Sequence, residues 1–195
     1  MCTLDEHSDG RAVLGVSSGD SAVYTLGESA ASLRELYEFC TAFTRLCAAE
    51  SVDFDEYEVD LTWLRMQETT RDVPLFLAAE GPQTLKMAGE VADRVLIGGG
   101  TTEPVVEEAI RRIDAGAKAA GRDPDGIEKW VFGRGAVVED RSAVEETLKS
   151  TVAGAGHHTL QFTLEGKQVP EEYVDPVQTL VQEYDSEQHL GLGDD

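Results

Sequence analysis

Alternating apolar runs and amphipathic stretches mark this 195-residue chain as an α/β domain built on a parallel sheet. Three observations carry that reading. The stretch from Val73 to Thr101, VPLFLAAEGPQTLKMAGEVADRVLIGGGT, reads as strand, loop, helix, strand and loop. Two other stretches, Leu33 to Cys47 and Pro104 to Gly121, carry apolar residues at helical spacing. No internal repeat, low-complexity linker or composition shift divides the chain, so one domain over residues 1–195 is expected.

Arg11 to Val16 reads as a buried strand. Ser32, with Glu35 three residues on, is a capping box opening a helix. Its Leu33, Leu36, Tyr37, Cys40, Phe43 and Cys47 form one stripe, expected to pack on the core. Val52, Phe54, Tyr57 and Val59 alternate as in a short hairpin, and Leu61, Trp63 and Leu64 lead toward the next strand. Leu75 to Ala79, behind Pro74, has the continuous apolar character of a strand buried on both faces. Gly81 can turn tightly and Pro82 suits the first helical position; Leu85, Ala88, Val91 and Ala92 then recur at helical spacing. Val95, Leu96 and Ile97 form the second strand and run into Gly98, Gly99 and Gly100.

Thr101 or Thr102 caps the next helix, which starts at Pro104 and stops near Gly121. Ile127 to Val138 is expected to be a central strand with a bulge or close approach at Gly133 and Gly135, where Arg134 could meet an anion or pair with a structural carboxylate. A helix from Ser142 ends before His157 and His158, which are expected to cap its last carbonyls.

Two strand ends therefore face one crevice. The free N–H groups of Gln83 and Thr84, at the positive end of a helix dipole, could hold a phosphate outside the first strand's carboxyl end. The loop from Gly98 to Thr102 offers a second set of backbone donors, though simple capping explains it equally well. The glycines match neither G-x-G-x-x-G nor the lysine-containing phosphate loop.

The wording of this stretch is similar to the luciferase-like monooxygenase superfamily, and within it to the deazaflavin (coenzyme F-420) dependent reductases of the methylenetetrahydromethanopterin reductase type. In that family an Ala-Ala-x-Gly-Pro loop and an Ala-Gly-x-x-Ala-Asp helix wrap the cofactor phosphate. The matching residues here are Ala78, Ala79, Glu80, Gly81 and Pro82, then Ala88, Gly89, Ala92 and Asp93. A second block, LGVSSGDSAVYTLG from Leu14 to Gly27, resembles the family's Gly-x-Gly-Asp-Ser-Ala-Val segment, with Ser18 where glycine is frequent. The resemblance spans roughly Arg11 to Val138 and continues more weakly from Glu171 to His189.

The resemblance implies a partial (β/α)8 barrel of the TIM type. It implies hydride transfer between coenzyme F-420, or alternatively flavin mononucleotide, and an organic substrate. The cofactor site it implies comprises Ala78, Ala79, Glu80, Gly81, Gln83, Thr84, Gly98 and Gly99. A complete barrel takes about 250 residues, so the chain is expected to be an interior portion that begins about strand four and lacks the last strand. The family's catalytic positions then have no counterpart, and none is assigned. A non-catalytic remnant or interaction module that keeps only the phosphate half-site is the competing reading. An enzyme would need the missing strands from a homo-oligomer or a complementing chain. Glu80 departs from the family pattern, because a carboxylate beside a phosphate is repulsive unless it turns away or a cation such as Lys86 intervenes.

Acidic residues number 38 against 16 basic ones, giving a net charge of −22 and a pI near 4.4. Such a polyanion repels nucleic acid and anionic membranes, and suits a halophile's cytoplasm, where molar salt shortens the Debye length to about 3 Å. Cys2, Cys40 and Cys47 make no paired framework; on one helix Cys40 and Cys47 lie roughly 10 Å apart. No apolar stretch suits a signal peptide or a membrane span. Two adjacent histidines without a third ligand define no metal site, and His7 and His189 lie near the termini. Ser21 after Asp20 lacks a nucleophile elbow and reads as a helix cap, which disfavours a hydrolase. The carboxylates are too abundant for any pair to be picked as acid and base.

Overall fold

A computed structural model describes residues 1–185 apart from 55, 67–69, 134, 136 and 141. The chain runs α1 (Cys2–His7), β1 (Leu14–Val16), α2 (Ser21–Thr25), α3 (Leu33–Cys47), β2 (Val52–Phe54), β3 (Tyr57–Val59), α4 (Thr62–Met66) and β4 (Leu75–Ala79). It continues through α5 (Pro82–Val91), β5 (Arg94–Ile97), α6 (Glu103–Ala119), β6 (Glu128–Val131), α7 (Ser142–Leu160) and α8 (Val174–Glu183). One parallel sheet has the order β1-β4-β5-β6; β2 and β3 form a separate antiparallel hairpin. Strands β1 and β4 are neighbours although the hairpin and three helices separate them in sequence, so that segment is an excursion from the sheet.

Side chains alternate across β4 and β5. Leu75, Leu77, Ala79, Val95 and Ile97 point to the helical layer and meet Leu36, Leu85, Ala88, Ala109 and Ile113 in one buried core. A smaller core joins Cys2, Cys47, Leu64 and Val73. There the Cys2 and Cys47 sulfurs lie 3.5 Å apart as free thiols. Burial, helped by Cys2, pushes the Cys47 thiol up to about 12, so it is an inert core group. The opposite sheet face carries Gly15, Phe76, Ala78 and Leu96, which with Val16 and Ser17 line a hollow of about 250 Å³.

Helices α5 and α6 touch through their backbones. A Cβ placed on Gly89 would stand 1.9 Å from the Ile113 carbonyl oxygen, and one on Gly116 would stand 1.9 Å from the Lys86 carbonyl oxygen. Glycine at these two places removes the side chains that would hold the helices apart. The far end of α5 is tied down as well. Arg122 donates to the Gly89 carbonyl (3.0 Å) and pairs with Asp93 (3.3 Å), while Asp93 accepts from the Leu75 N–H at 2.9 Å.

The Ser32–Glu35 capping box forms in both directions, and the hairpin, β4, α5 and β5 lie where the sequence places them. Four expectations need correction. Leu33 and Tyr37 are 41% exposed, so the α3 stripe is narrower than its periodicity and rests on Leu36, Cys40 and Cys47. The stretch toward the next strand winds instead into α4, which buries Leu64. Among the described residues strand β6 is an edge, not a central strand, and ends at Val131, because its one described neighbour β5 ends at Ile97 and leaves nothing beyond the Phe132 N–H to pair. Arg134 lies outside the described residues. Helix α7 continues past Gly154 and Gly156 to Leu160, and Gly156 serves close packing: its Cβ would lie 3.2 Å from Leu180 of α8.

An exposed helical glycine changed to alanine ordinarily gains about 1 kcal/mol. At Gly116 the backbone contact reverses the sign. Gly116→Ala is expected to lower the unfolding free energy by roughly 1–3 kcal/mol in urea titration, through overpacking; a stabilised variant would contradict the α5–α6 contact.

Candidate functional site

The carboxyl ends of β4 and β5 open onto the N-terminus of α5. Gly81 occupies the N-cap with extended backbone and offers no side-chain cap. The N–H groups of Gln83 and Thr84 have no partner among the described residues, so the positive end of this ten-residue helix is open to an anion. Gly98 closes the floor, its N–H donating to the Ala79 carbonyl at 3.2 Å. Gly100 has φ +139°, a conformation that favours glycine, as the chain turns toward α6.

Two side chains from the end of α7 and the loop beyond it reach into this crevice. Lys167 follows Gly166, whose φ of +75° turns the loop. Arg112 of α6 anchors that loop through Glu165 at 3.0 Å. Lys167 is only 7% exposed, and its ammonium donates to the Glu80 carbonyl at 2.9 Å. The ammonium also stands 3.3 Å from where a Cβ on Gly99 would lie. No carboxylate lies within ion-pair distance of it among the described residues, and burial pulls its pKa below the usual lysine range.

His158 sits between two carboxylates, with Nε2 3.3 Å from Glu80 Oε1 and Nδ1 3.2 Å from Asp20 Oδ2. The Glu80 carboxylate lies over Gly98, where its Oε1 would be 2.5 Å from an added Cβ. The bond to Glu80 raises the His158 pKa above 6.5 against partial burial, and Asp20 adds to the rise. Burial pushes the Glu80 carboxyl up, but His158 and Lys167 outweigh it and hold it below 4.5. Both partners favour the ion pair.

The structure thus brings Ala79, Glu80, Gly81, Gln83, Thr84, Gly98 and Gly99 to one crevice, while Ala78 faces the hollow on the other side of the sheet. Ala88, Gly89, Ala92 and Asp93 instead serve packing and the start of β4. Lys86 is exposed, and the cations beside Glu80 are His158 and Lys167. His158 therefore forms ion pairs where a carbonyl cap was expected, because α7 carries it to the strand ends; His157 stacks on Tyr184 with ring centroids 4.5 Å apart. Thr102 takes the α6 N-cap position but makes no side-chain cap bond, leaving the second set of donors available. Asp20 starts α2 and turns its carboxylate to His158. Among the described residues no group of three or more histidine, cysteine or acidic side chains could hold a metal, and no helix is long and apolar enough to cross a membrane.

The open helix end and the buried ammonium suit a phosphate. Glu80 opposes it: a unit anion 4 Å from that carboxylate would be repelled by about 4 kcal/mol near a protein surface. The donor set fits an anionic headgroup once Glu80 yields its place.

Residues 1–190 match the luciferase-like monooxygenase family. A 5,10-methylenetetrahydromethanopterin reductase of Methanolobus tindarius is 33% identical over 165 residues, covering 82% of this chain and 50% of the relative. The chain spans about half the length of the relatives it matches. The structure of the coenzyme F420 dependent tetrahydromethanopterin reductase from Methanopyrus kandleri superposes with a TM-score of 0.63 at 24% identity, covering 99% of this chain and 61% of that one. An F420-dependent secondary alcohol dehydrogenase, solved with an F420-acetone adduct, gives a TM-score of 0.66 at 20% identity, covering 96% of this chain and 57% of that one. The sheet and its helices are therefore part of a luciferase-like TIM barrel.

The Glu80–His158 pair has a defined pH window. The raised histidine pKa stabilises fully below pH 6.5 and is lost as pH climbs through the folded value; the lowered glutamate pKa stabilises fully above 4.5 and is lost as pH falls through its folded value. Histidine titration by NMR is expected to place His158 above 6.5, and Glu80→Gln is expected to return it toward that value. An unchanged pKa in the variant would contradict the pairing.

Proposed function

The chain belongs to the luciferase-like monooxygenase family, and from that premise we propose that it is the cofactor-holding part of an oxidoreductase. Its cofactor is coenzyme F420, with flavin mononucleotide the alternative, and its partner an organic substrate. The relatives and solved structures whose names state F420 dependence support the deazaflavin. The observation that carries the reading is the open α5 N-terminus with the buried Lys167 ammonium at the same crevice, which has no carboxylate within ion-pair distance among the described residues.

In this reading Gln83 and Thr84 donate N–H groups to the phosphate, Gly98 and Gly99 let it approach the backbone, and Lys167 supplies a cation. Ala78, Phe76 and Leu96 offer the apolar hollow as a seat for a ring. The bound ring supplies hydride transfer; the protein supplies position and electrostatics. The site residues, the organisation as one domain, cytoplasmic residence and work in molar salt are parts of the same proposal, the last supported by the net charge of −22. The competing reading, a non-catalytic module, draws on Glu80 standing in the crevice. A complementing chain or second copy would supply the remaining strands of an active barrel.

Titration of the folded chain in molar salt with oxidised F420 and with flavin mononucleotide, followed by fluorescence, tests the assignment. Saturable F420 binding, weakened about tenfold by Lys167→Met through loss of one charge-assisted hydrogen bond, is the expected result. A folded chain that binds neither cofactor would overturn it.

A further inference from the structure

We propose that Cys2 and Cys47 are a redox-responsive staple: under an oxidising thiol–disulfide balance the two thiols close into an intramolecular disulfide that fastens α1 to the end of α3. The staple lies away from the crevice and is independent of the cofactor reading. In the sequence the two cysteines stand 45 positions apart and carry no pairing signal, yet the fold sets their sulfurs 3.5 Å from each other. A disulfide bond is about 2.05 Å long, so the sulfurs need to close by roughly 1.5 Å, which small side-chain rotations supply.

A second contact, made by other groups, holds the same two elements together. The Arg71 N–H donates to the Cys47 carbonyl at 2.8 Å. Its guanidinium lies 3.4 Å from the Glu6 carboxylate and 4.0 Å from that of the buried Asp5, both on α1. One residue thus grips both cysteine-bearing elements, and Leu64 and Val73 enclose the pair in the smaller core. Such positioning raises the effective concentration of one thiol at the other. Cys40 sits in the main core, apart from the pair.

While α1 is docked, both sulfurs are buried and the Cys47 thiol stays protonated, so the pair is inert toward reagents in solution. With only six residues, α1 is a short element whose lifting carries Cys2 into solvent. The oxidant is a low-molecular-weight disulfide, RSSR. Deprotonated Cys2 attacks one of its sulfurs, the RS–SR bond breaks and RS⁻ leaves. As α1 returns, the Cys47 sulfur attacks the Cys2 sulfur of the mixed disulfide, forms the Cys2–Cys47 bond and expels the second RS⁻. The two thiol protons end on two RSH molecules, and the two electrons lost by the protein reduce the reagent. Excess thiol reverses the sequence.

The whole chain, folded in molar salt, is equilibrated with reduced and oxidised glutathione at varied ratio, acid-quenched, alkylated and mapped by mass spectrometry. The expected product is a single chain lighter by two hydrogens, with Cys2 linked to Cys47 and Cys40 alkylated. The effective concentration read from that equilibrium is expected to be about 100-fold above that of the same chain unfolded in guanidinium chloride, and the thermal midpoint to rise by roughly 5–10 °C. Dithiothreitol is expected to reverse the shift. Cys40→Ser is expected to behave as the wild type, and Cys2→Ser and Cys47→Ser to show neither link nor shift. Arg71→Met, checked for folding by circular dichroism, is expected to lower the effective concentration about tenfold. Glu6→Gln, which removes one of the two ion pairs at an exposed position, is expected to lower it about twofold. No Cys2–Cys47 link in the folded chain, a link to Cys40 or between chains, or an effective concentration no higher than in the unfolded chain would overturn the staple. Values unchanged in both folded variants would overturn the grip assigned to Arg71.

Discussion

The backbone contact between α5 and α6 is the constraint on which the remaining geometry depends. Gly89 against Ile113 and Gly116 against Lys86 let two helices lie closer than any side chain would permit, and the buried core of β4 and β5 fills in beneath them. Because α5 is clamped along its length and tied at its far end through Arg122 and Asp93, its N-terminus has a fixed place above the strand ends. A helix dipole is useful to a ligand only if its end is held where the ligand must sit. The glycines that look like weaknesses in a helical sequence are what provide that rigidity.

The electrostatics of the crevice stand apart from those of the chain. A protein with 38 acidic and 16 basic residues has few cations, yet one lysine is buried at the strand ends with no carboxylate within ion-pair distance among the described residues. Arg112 and Glu165 brace the loop that carries it. The acidic excess elsewhere is solvated, whereas the cluster of Asp20, Glu80, His158 and Lys167 is partly shielded from solvent, so its charges are screened less than those of the open surface.

How much of this was legible in the sequence differs element by element. The bounds of β4 could be read to the residue because Pro74, Gly81 and Pro82 punctuate a continuous apolar run. The capping box at Ser32 was equally plain, since it needs only two residues at fixed spacing. The crevice residues from Ala79 to Thr84 and at Gly98 and Gly99 were legible as well, because one supersecondary unit carries them all. His158 and Lys167 were not: Lys167 meets the Glu80 carbonyl across 87 positions of chain, and no local pattern encodes a contact at that range. For β6 the apolar run Ile127 to Val138 outlasted its strand, because strand length depends on the neighbour's ladder and not on hydrophobicity alone. Gly89 could be read as a family match, but the reason for it lies in the carbonyl of Ile113 on another helix.

The most direct measurement is a crystal structure of Glu80→Gln grown with phosphate. An anion is expected at the α5 N-terminus, in contact with the Gln83 and Thr84 N–H groups and with the Lys167 ammonium. An anion bound only elsewhere, or a crevice closed by a different side chain, would contradict it.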